Sequence, residues 1–600
     1  MTTEEIGDDP DRSEELHKNL ARIEELSERL VAAISRKKAP NPDLQAPGQE
    51  LYTKAASAYV AEFVESPSKV FETQVAYWSK ALTHFVEAQK NLMQGSLEPP
   101  DDNTPADPRF AGDLWAQHPY FNFIKQQYLI SAEAISNAVD GLDDLNETDR
   151  RRVRYFTRQI IDMMSPANFL GTNPEALAKA AETNGQSLVD GLENLVRDIE
   201  ESDGEPMVTL ADKKAFEVGA NIGSTEGSVV FRNEILELIQ YAPTTQTVRE
   251  TPLLVFPPWI NKYYILDLKP KNSLIRWIVD QGYTLFVVSW KNPDASYRDF
   301  GMADYVEKGF LTAIDQAKAV TGEKRINVVG YCIGGTALSL TLALLEKRGD
   351  RSIGCATFFT TLTDFKDQGE FTVFLTDDFV DAIEAQSNKV GVLENRIMSR
   401  TFSFLRSNDL IYGPAIRSYL MGEAPPAFDL LYWNGDGTHL PAAMLMEYLR
   451  GLCQQNRFAR EGFDLLGETV RVGDIRVPAC SVACETDHIA AWKSCYEGFR
   501  QMGSNSKTFL LSESGHIAGI VNPPSRNKYG HYTGHGLPAE PEAWKDAATF
   551  NEGSWWPTWG RWLEARSGSD TEARVPGTAQ SHPILAAAPG TYVKEVVGID

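Results

Sequence analysis

The chain has 600 residues, of which 42% are hydrophobic and 24% charged. That length exceeds the roughly 250–300 residues at which one core stops growing, and the balance excludes a disordered or fibrous protein, so two folded domains with polar ends are expected. A formal charge of −25 opposes a phosphate backbone over most of the surface, which argues against nucleic acid as a partner.

The opening MTTEEIGDDPDRSEELHKNL is acidic and lacks the apolar core of a secretory signal. The protein is therefore expected to be cytoplasmic, with its six cysteines reduced. Residues 1–50 read as a flexible acidic tail, charged and helical, followed by a linker, KKAPNPDLQAPGQE, which has three prolines and no apolar period. Residues 51–220 predict a helical domain. YWSKALTHFVEAQKNLM and FNFIKQQYLISAEAISNAVDGL carry apolar residues at three- and four-residue intervals, joined by DPRFAGDLWAQHPY.

Residues 221–600 change rhythm. TPLLVFPP, TLFVVSW, RINVVG, CATFFTTL, VPACSVAC and KTFLL read as buried strands alternating with helices such as DYVEKGFLTAIDQAKAVTG, the pattern of an α/β domain with a mostly parallel sheet. The alternation lapses over about 364–471, which is expected to be a cap inserted in this domain. INVVGYCIGGTALSLTLALL runs from Ile326 to Leu345 without a charge, about the length of a membrane span. Gly330, Gly334 and Gly335 instead predict a strand, a tight turn and a buried helix, so no transmembrane segment is expected.

Strand, Gly-Tyr-Cys-Ile-Gly-Gly, helix is the context of a nucleophile elbow. Cys332 stands between Gly330 and Gly334, which allow the sharp turn, and at a helix N-terminus, whose dipole favours a thiolate. A small buried cysteine is the bland alternative. An elbow enzyme of this fold needs an acid and then a histidine at later strand ends. Asp487, after VPACSVAC, and His516, after KTFLL, meet that order. His488 is a rival base at the same strand end as Asp487.

Oxyanion donors are expected from the amide of Ile333 and from either Trp259 or Ile260, since Pro257 and Pro258 have no N–H. Arg526 and Lys528 are candidates to line the site and meet an anionic ligand, or are simple surface charges. Cys480 and Cys484 read as core thiols, no metal site is expected, and the tryptophans of GSWWPTWGRWLE read as packing. His531 and His535 are expected in an exposed loop.

The chain resembles the class I polyhydroxyalkanoate synthases over nearly its whole length after the tail. DPRFAGDLWAQHPYFNFIKQQYLI, PPWINKYYILDL, FVVSWKNPDAS, GYCIGGT, TFSFLRSNDL, PAFDLLYWNGDGTHLP, DHIAAW, SGHIAGIVNPP and GSWWP carry the likeness. The resemblance implies an α/β-hydrolase fold with a cap behind a helical domain. It also implies transfer of (R)-3-hydroxyacyl groups, 3-hydroxybutyryl foremost, from coenzyme A to a growing polyester through a cysteine thioester, with Cys332, Asp487 and His516 as the triad. It implies no cofactor beyond the coenzyme A thioester, a homodimer, and a polymer granule coated by phasin-type proteins. A thioesterase or depolymerase with the same triad is the alternative enzyme, and a granule scaffold with a relict fold the non-catalytic one.

Overall fold

The computed structural model describes residues 10–35, 53, 55, 57–58, 75, 77, 79–84, 106–142, 145–202, 204–205, 207–578 and 580–596. They fall into two units: residues up to Asp212 with Phe402–Pro426, and Lys213–Thr401 with Ala427 onward.

In the first unit, helix α1 (Pro10–Ser35) lies against a later helix of the same unit. Helices α2 (Pro119–Asp140) and α3 (Glu147–Met163) follow, and α4 (Gln186–Glu201) is the partner of α1. Leu26 is fully buried against Val189 and Val196, and Arg22 and Arg29 reach Glu193 and Glu200, each at 2.7 Å. Exposed ion pairs add little, so burial of the apolar stripe carries the contact. The 1–50 region is thus not a flexible tail throughout: 10–35 is a docked helix, and the rest lies outside the described residues. The DPRF stretch is an anchor. Arg109 pairs with Asp107 at 2.7 Å and Asp162 at 2.8 Å and donates to the Tyr128 hydroxyl at 2.9 Å.

Phe402–Pro426, inside the 364–471 stretch expected as a cap, belongs to this first unit. Asn194 donates its amide to the carbonyls of Ser418 and Glu423 at 3.1 and 3.2 Å, and the Tyr419 hydroxyl donates to buried Asp198 at 2.9 Å. Gly191 lets the backbones meet, since a Cβ there would lie 2.1 Å from the Tyr419 oxygen.

The second unit is built on one sheet: β1 (Gly227–Arg232), β2 (Leu236–Tyr241), β3 (Leu253–Phe256), β4 (Leu285–Trp290), β5 (Ile326–Tyr331), β6 (Ile353–Phe359), β7 (Ala479–Cys484), β8 (Lys507–Ser512), β9 (His531–Thr533), β10 (Thr549–Asn551) and β11 (Ala586–Ala587). Their order is β10-β9-β8-β7-β6-β5-β3-β4-β2-β1-β11. The six apolar runs are the parallel centre, from β8 across to β4. The antiparallel strands on either side were not expected. His531, expected in an exposed loop, is buried in β9, with its ring nitrogens bound to Gly553 O and Thr558 Oγ1 at 3.0 Å each.

The uncharged stretch divides into β5 and helix α5 (Ile333–Lys347), and no helix among the described residues is long and apolar enough to cross a membrane. Strand and helix are pressed together where side chains would not fit. A Cβ on Gly330 would lie 2.5 Å from the Gly335 Cα, and one on Gly334 would lie 2.5 and 2.6 Å from the carbonyl oxygens of Phe256 and Pro257. Gly330→Ala is therefore expected to lower stability by about 1–3 kcal/mol, as overpacking does, seen as an earlier urea transition of the catalytic unit.

Candidate active site

Cys332 sits between β5 and α5 with φ 54° and ψ −125°, a conformation that L-residues rarely hold and that costs on the order of 1–3 kcal/mol. The close strand–helix packing imposes it, and it lifts the side chain out of the sheet at the start of the helix. Of the six cysteines Cys332 is the half-exposed one; the other five are buried, and burial pushes each of their thiols up, away from the reactive thiolate. Cys480 and Cys484 are core residues of β7.

Asp487 follows β7 and His516 follows β8, so the parallel sheet delivers both to the same end as the elbow. His516 Nδ1 lies 2.7 Å from Asp487 Oδ2, and both residues are buried. The other carboxylate oxygen accepts the amides of Ile489 and Ala490 at 2.8 and 2.9 Å, which fixes the acid. With Nδ1 engaged by Asp487, Nε2 is the imidazole nitrogen left for another partner, and the nearby Cys332 sulfur acts on the ring electrostatically. Burial disfavours the imidazolium, but the Asp487 carboxylate and the Cys332 sulfur outweigh it and raise His516 above the ordinary histidine range. His488 is half-buried beside this pair, and it is His516 that Asp487 engages.

Several supports were not read from the sequence. Tyr331, one residue before the cysteine, donates its hydroxyl to the His516 carbonyl at 3.1 Å and stacks on the imidazole at 5.7 Å. The indole N–H groups of Trp555 and Trp556 donate to Gly519 O and Ile520 O at 2.7 and 2.9 Å, so these tryptophans are packing that also clamps the histidine loop. The local signal for Tyr331 was present, an aromatic residue at the end of a buried strand. The indole bonds join segments too distant in sequence to be paired.

Of the three expected oxyanion donors, Ile333 is part of the elbow itself, and Trp259 and Ile260 follow the chain that packs on it. Ile333 opens α5, and the chain before Trp259 passes against Gly334. No described residue accepts a hydrogen bond from any of their three backbone amides. The carbonyls of Trp259 and Ile260, by contrast, are both taken by Thr438. Arg526 and Lys528 are exposed on the turn beyond His516, with the Lys528 ammonium 4.7 Å from the Tyr529 ring. Nothing brings them into contact with the triad.

This arrangement of Cys332, His516 and Asp487 can be set beside known proteins. Residues 106–278 match the family described as the Poly-beta-hydroxybutyrate polymerase (PhaC) N-terminus, and 253–523 match the alpha/beta hydrolase fold. A poly(3-hydroxyalkanoate) polymerase of Methylorubrum extorquens is 41% identical over 92% of both chains. The poly(3-hydroxyalkanoate) polymerase subunit PhaC of Cupriavidus necator is 41% identical over 81% of this chain and 83% of its own. Among solved structures, the monoacylglycerol lipase of Paleococcus ferrophilus is 12% identical, with a TM-score of 0.29 over 47% of this chain and 90% of its own. By its identity to curated relatives over nearly the full length of both chains, the protein belongs to the poly(3-hydroxyalkanoate) polymerase family and has the α/β-hydrolase fold.

Proposed function

We propose that the chain is an acyltransferase that polymerises (R)-3-hydroxyacyl groups, 3-hydroxybutyryl foremost, from their coenzyme A thioesters into polyester, with Cys332 carrying the acyl group. The observation that supports it best is the buried Asp487–His516 pair, delivered by successive parallel strands to the end of the sheet where Cys332 stands, in a chain 41% identical to polymerases.

In the first half of the cycle His516 takes the Cys332 thiol proton as the sulfur attacks the thioester carbonyl, and the amides of Ile333 and of Trp259 or Ile260 receive the oxyanion. The carbon–sulfur bond to coenzyme A breaks, and His516 returns the proton to the leaving thiolate. One thioester has replaced another, so the step is nearly balanced in free energy. In the second half His516 takes the proton of an incoming 3-hydroxyl, the alkoxide attacks the cysteine thioester, and the thiolate leaves. An ester has replaced a thioester, which runs downhill. A serine in place of Cys332 would trap the chain as a stable ester. Asp487 holds the imidazole in the orientation and tautomer that both halves use. The side chains and the thioester suffice for these steps, and we assign no cofactor.

Arg526 and Lys528 are the cations proposed for the coenzyme A phosphates, and the insert between β6 and β7 is proposed as the cover that keeps water from the thioester. A cytoplasmic homodimer on a phasin-coated granule completes the proposal, supported by the resemblance alone.

The purified protein supplied with 3-hydroxybutyryl-coenzyme A is expected to release coenzyme A and precipitate polyester; soluble hydroxy acid without polymer would establish the thioesterase or depolymerase instead. Cys332→Ala should abolish that release with an unchanged melting transition. Joint replacement of Arg526 and Lys528 by alanine should raise KM for the thioester severalfold with kcat near wild type, the signature of uniform binding.

The His516 shift gives a pH dependence. A histidine whose folded value is raised from 6.5 to about 10 adds stability that is full below 6.5 and is lost as pH climbs through the folded value. In a Cys332→Ala background, Asp487→Asn should therefore lower the melting temperature more at pH 6 than at pH 10.

A further inference from the structure

The loop after β3 carries both candidates for the second oxyanion donor, and an amide stabilises an oxyanion only if it is already in place. One side of this loop is fixed within the sheet domain. Trp290 Nε1 donates to Pro257 O at 2.9 Å, and the Trp259 ring stacks on Tyr305 at 4.7 Å.

The other side is sewn to a short run of the insert. Thr438 donates its amide to Ile260 O at 3.0 Å and its hydroxyl to Trp259 O. Trp433 Nε1 donates to Lys262 O at 2.6 Å, and the Asn261 side chain donates to Trp433 O at 3.3 Å. At the centre is Lys262, whose side chain is only 5% exposed and whose ammonium lies 2.7 Å from Asp436 Oδ1. The same ammonium donates to Glu595 O at 3.2 Å, and the Tyr264 hydroxyl donates to Asp436 Oδ2 at 2.8 Å. Glu595 follows a turn, Tyr592–Lys594, that is itself anchored because the buried Glu237 carboxylate accepts the amides of Thr591 and Tyr592 at 2.9 and 3.0 Å.

A buried ammonium is a poor way to gain stability, because desolvation offsets its attraction and an apolar side chain of the same length would fill the space as well. What it supplies is direction: donors aimed at fixed acceptors on separate segments. We propose that Lys262 is a positioning residue which, through Asp436 and the Glu595 carbonyl, holds the amides of Trp259 and Ile260 in place for the tetrahedral intermediate at Cys332. The inference rests on the acyl-transfer reading above and assigns a role in it to a residue that never touches the substrate. It also makes the 433–438 run of the insert part of the catalytic geometry, so displacing that run would disarm the oxyanion site.

The test uses the full chain with Lys262→Met, Asp436→Asn and Thr438→Val, each assayed for coenzyme A release from 3-hydroxybutyryl-coenzyme A and for alkylation of Cys332 by iodoacetamide. Each variant is expected to lose about 10- to 100-fold in kcat, less than the roughly 100- to 1,000-fold cost of deleting an oxyanion donor outright. KM and the alkylation rate should stay within about twofold of wild type, since the nucleophile and uniform binding are untouched. The Lys262→Met/Asp436→Asn double variant should be no slower than the slower single one. Wild-type kcat in both charge variants would overturn the assignment, as would alkylation falling in step with kcat, or a rise in KM that accounts for the loss. Failure of the polymerase reading is a separate outcome, seen in the wild type as hydroxy acid in place of polymer, and coenzyme A release would still report on the oxyanion loop.

Discussion

A sulfur can stand at the mouth of a parallel sheet only if the strand that delivers it and the helix that follows come closer than two side chains permit. Here that closeness comes from Gly330 against Gly335 and from Gly334 against the carbonyls of Phe256 and Pro257. The last of these contacts joins three features at once: the turn that exposes Cys332, the helix start that offers the Ile333 amide, and the chain leading to Trp259 and Ile260. Any bulk added there moves Cys332 and the amides of Ile333, Trp259 and Ile260 together, so the rest of the candidate site depends on the absence of a few methyl groups.

The second constraint is electrostatic. Asp487 and His516 are both sheltered from water, a placement tolerated because each carboxylate oxygen is occupied, one by the imidazole and one by two amides. The carboxylate is thus held in one orientation, while Tyr331 bonds the His516 backbone and the Trp555–Trp556 pair bonds the loop just beyond it. A dry, fully bonded pair also suits a transfer in which water is the competing acceptor.

The six central strands were legible because both of their faces are covered, which turns them into unbroken apolar runs, and the meeting of Asp487 with His516 was legible because strand ends are easy to locate once such runs are found. The strands at the sheet's flanks were not. LELIQY holds a glutamate and a glutamine that look solvent-facing, yet Glu237 is buried under the C-terminal turn, a partner more than 350 residues away. Charge density hid the docking stripe of α1 in the same way, since Leu26 is one apolar position among acids and bases. His531 was misjudged because glycine-rich flanks suggested a loop, whereas its ring is held between Gly553 and Thr558. Lys262 was invisible for the reason common to all long-range polar contacts: nothing local marks which distant carboxylate will meet it.

The return of Phe402–Pro426 to the first unit has a practical corollary for anyone dissecting the gene. The backbone passes between the units not once but three times, so severing it after Asp212 yields no autonomous halves: the amino-terminal fragment lacks the 418–423 segment that Asn194 and Asp198 bond, and the carboxy-terminal fragment keeps a stretch with nothing of its own to fold upon. Protease nicking at that junction should leave the pieces associated, and a lone hydrolase portion prepared for study would need those 25 residues replaced by a short linker.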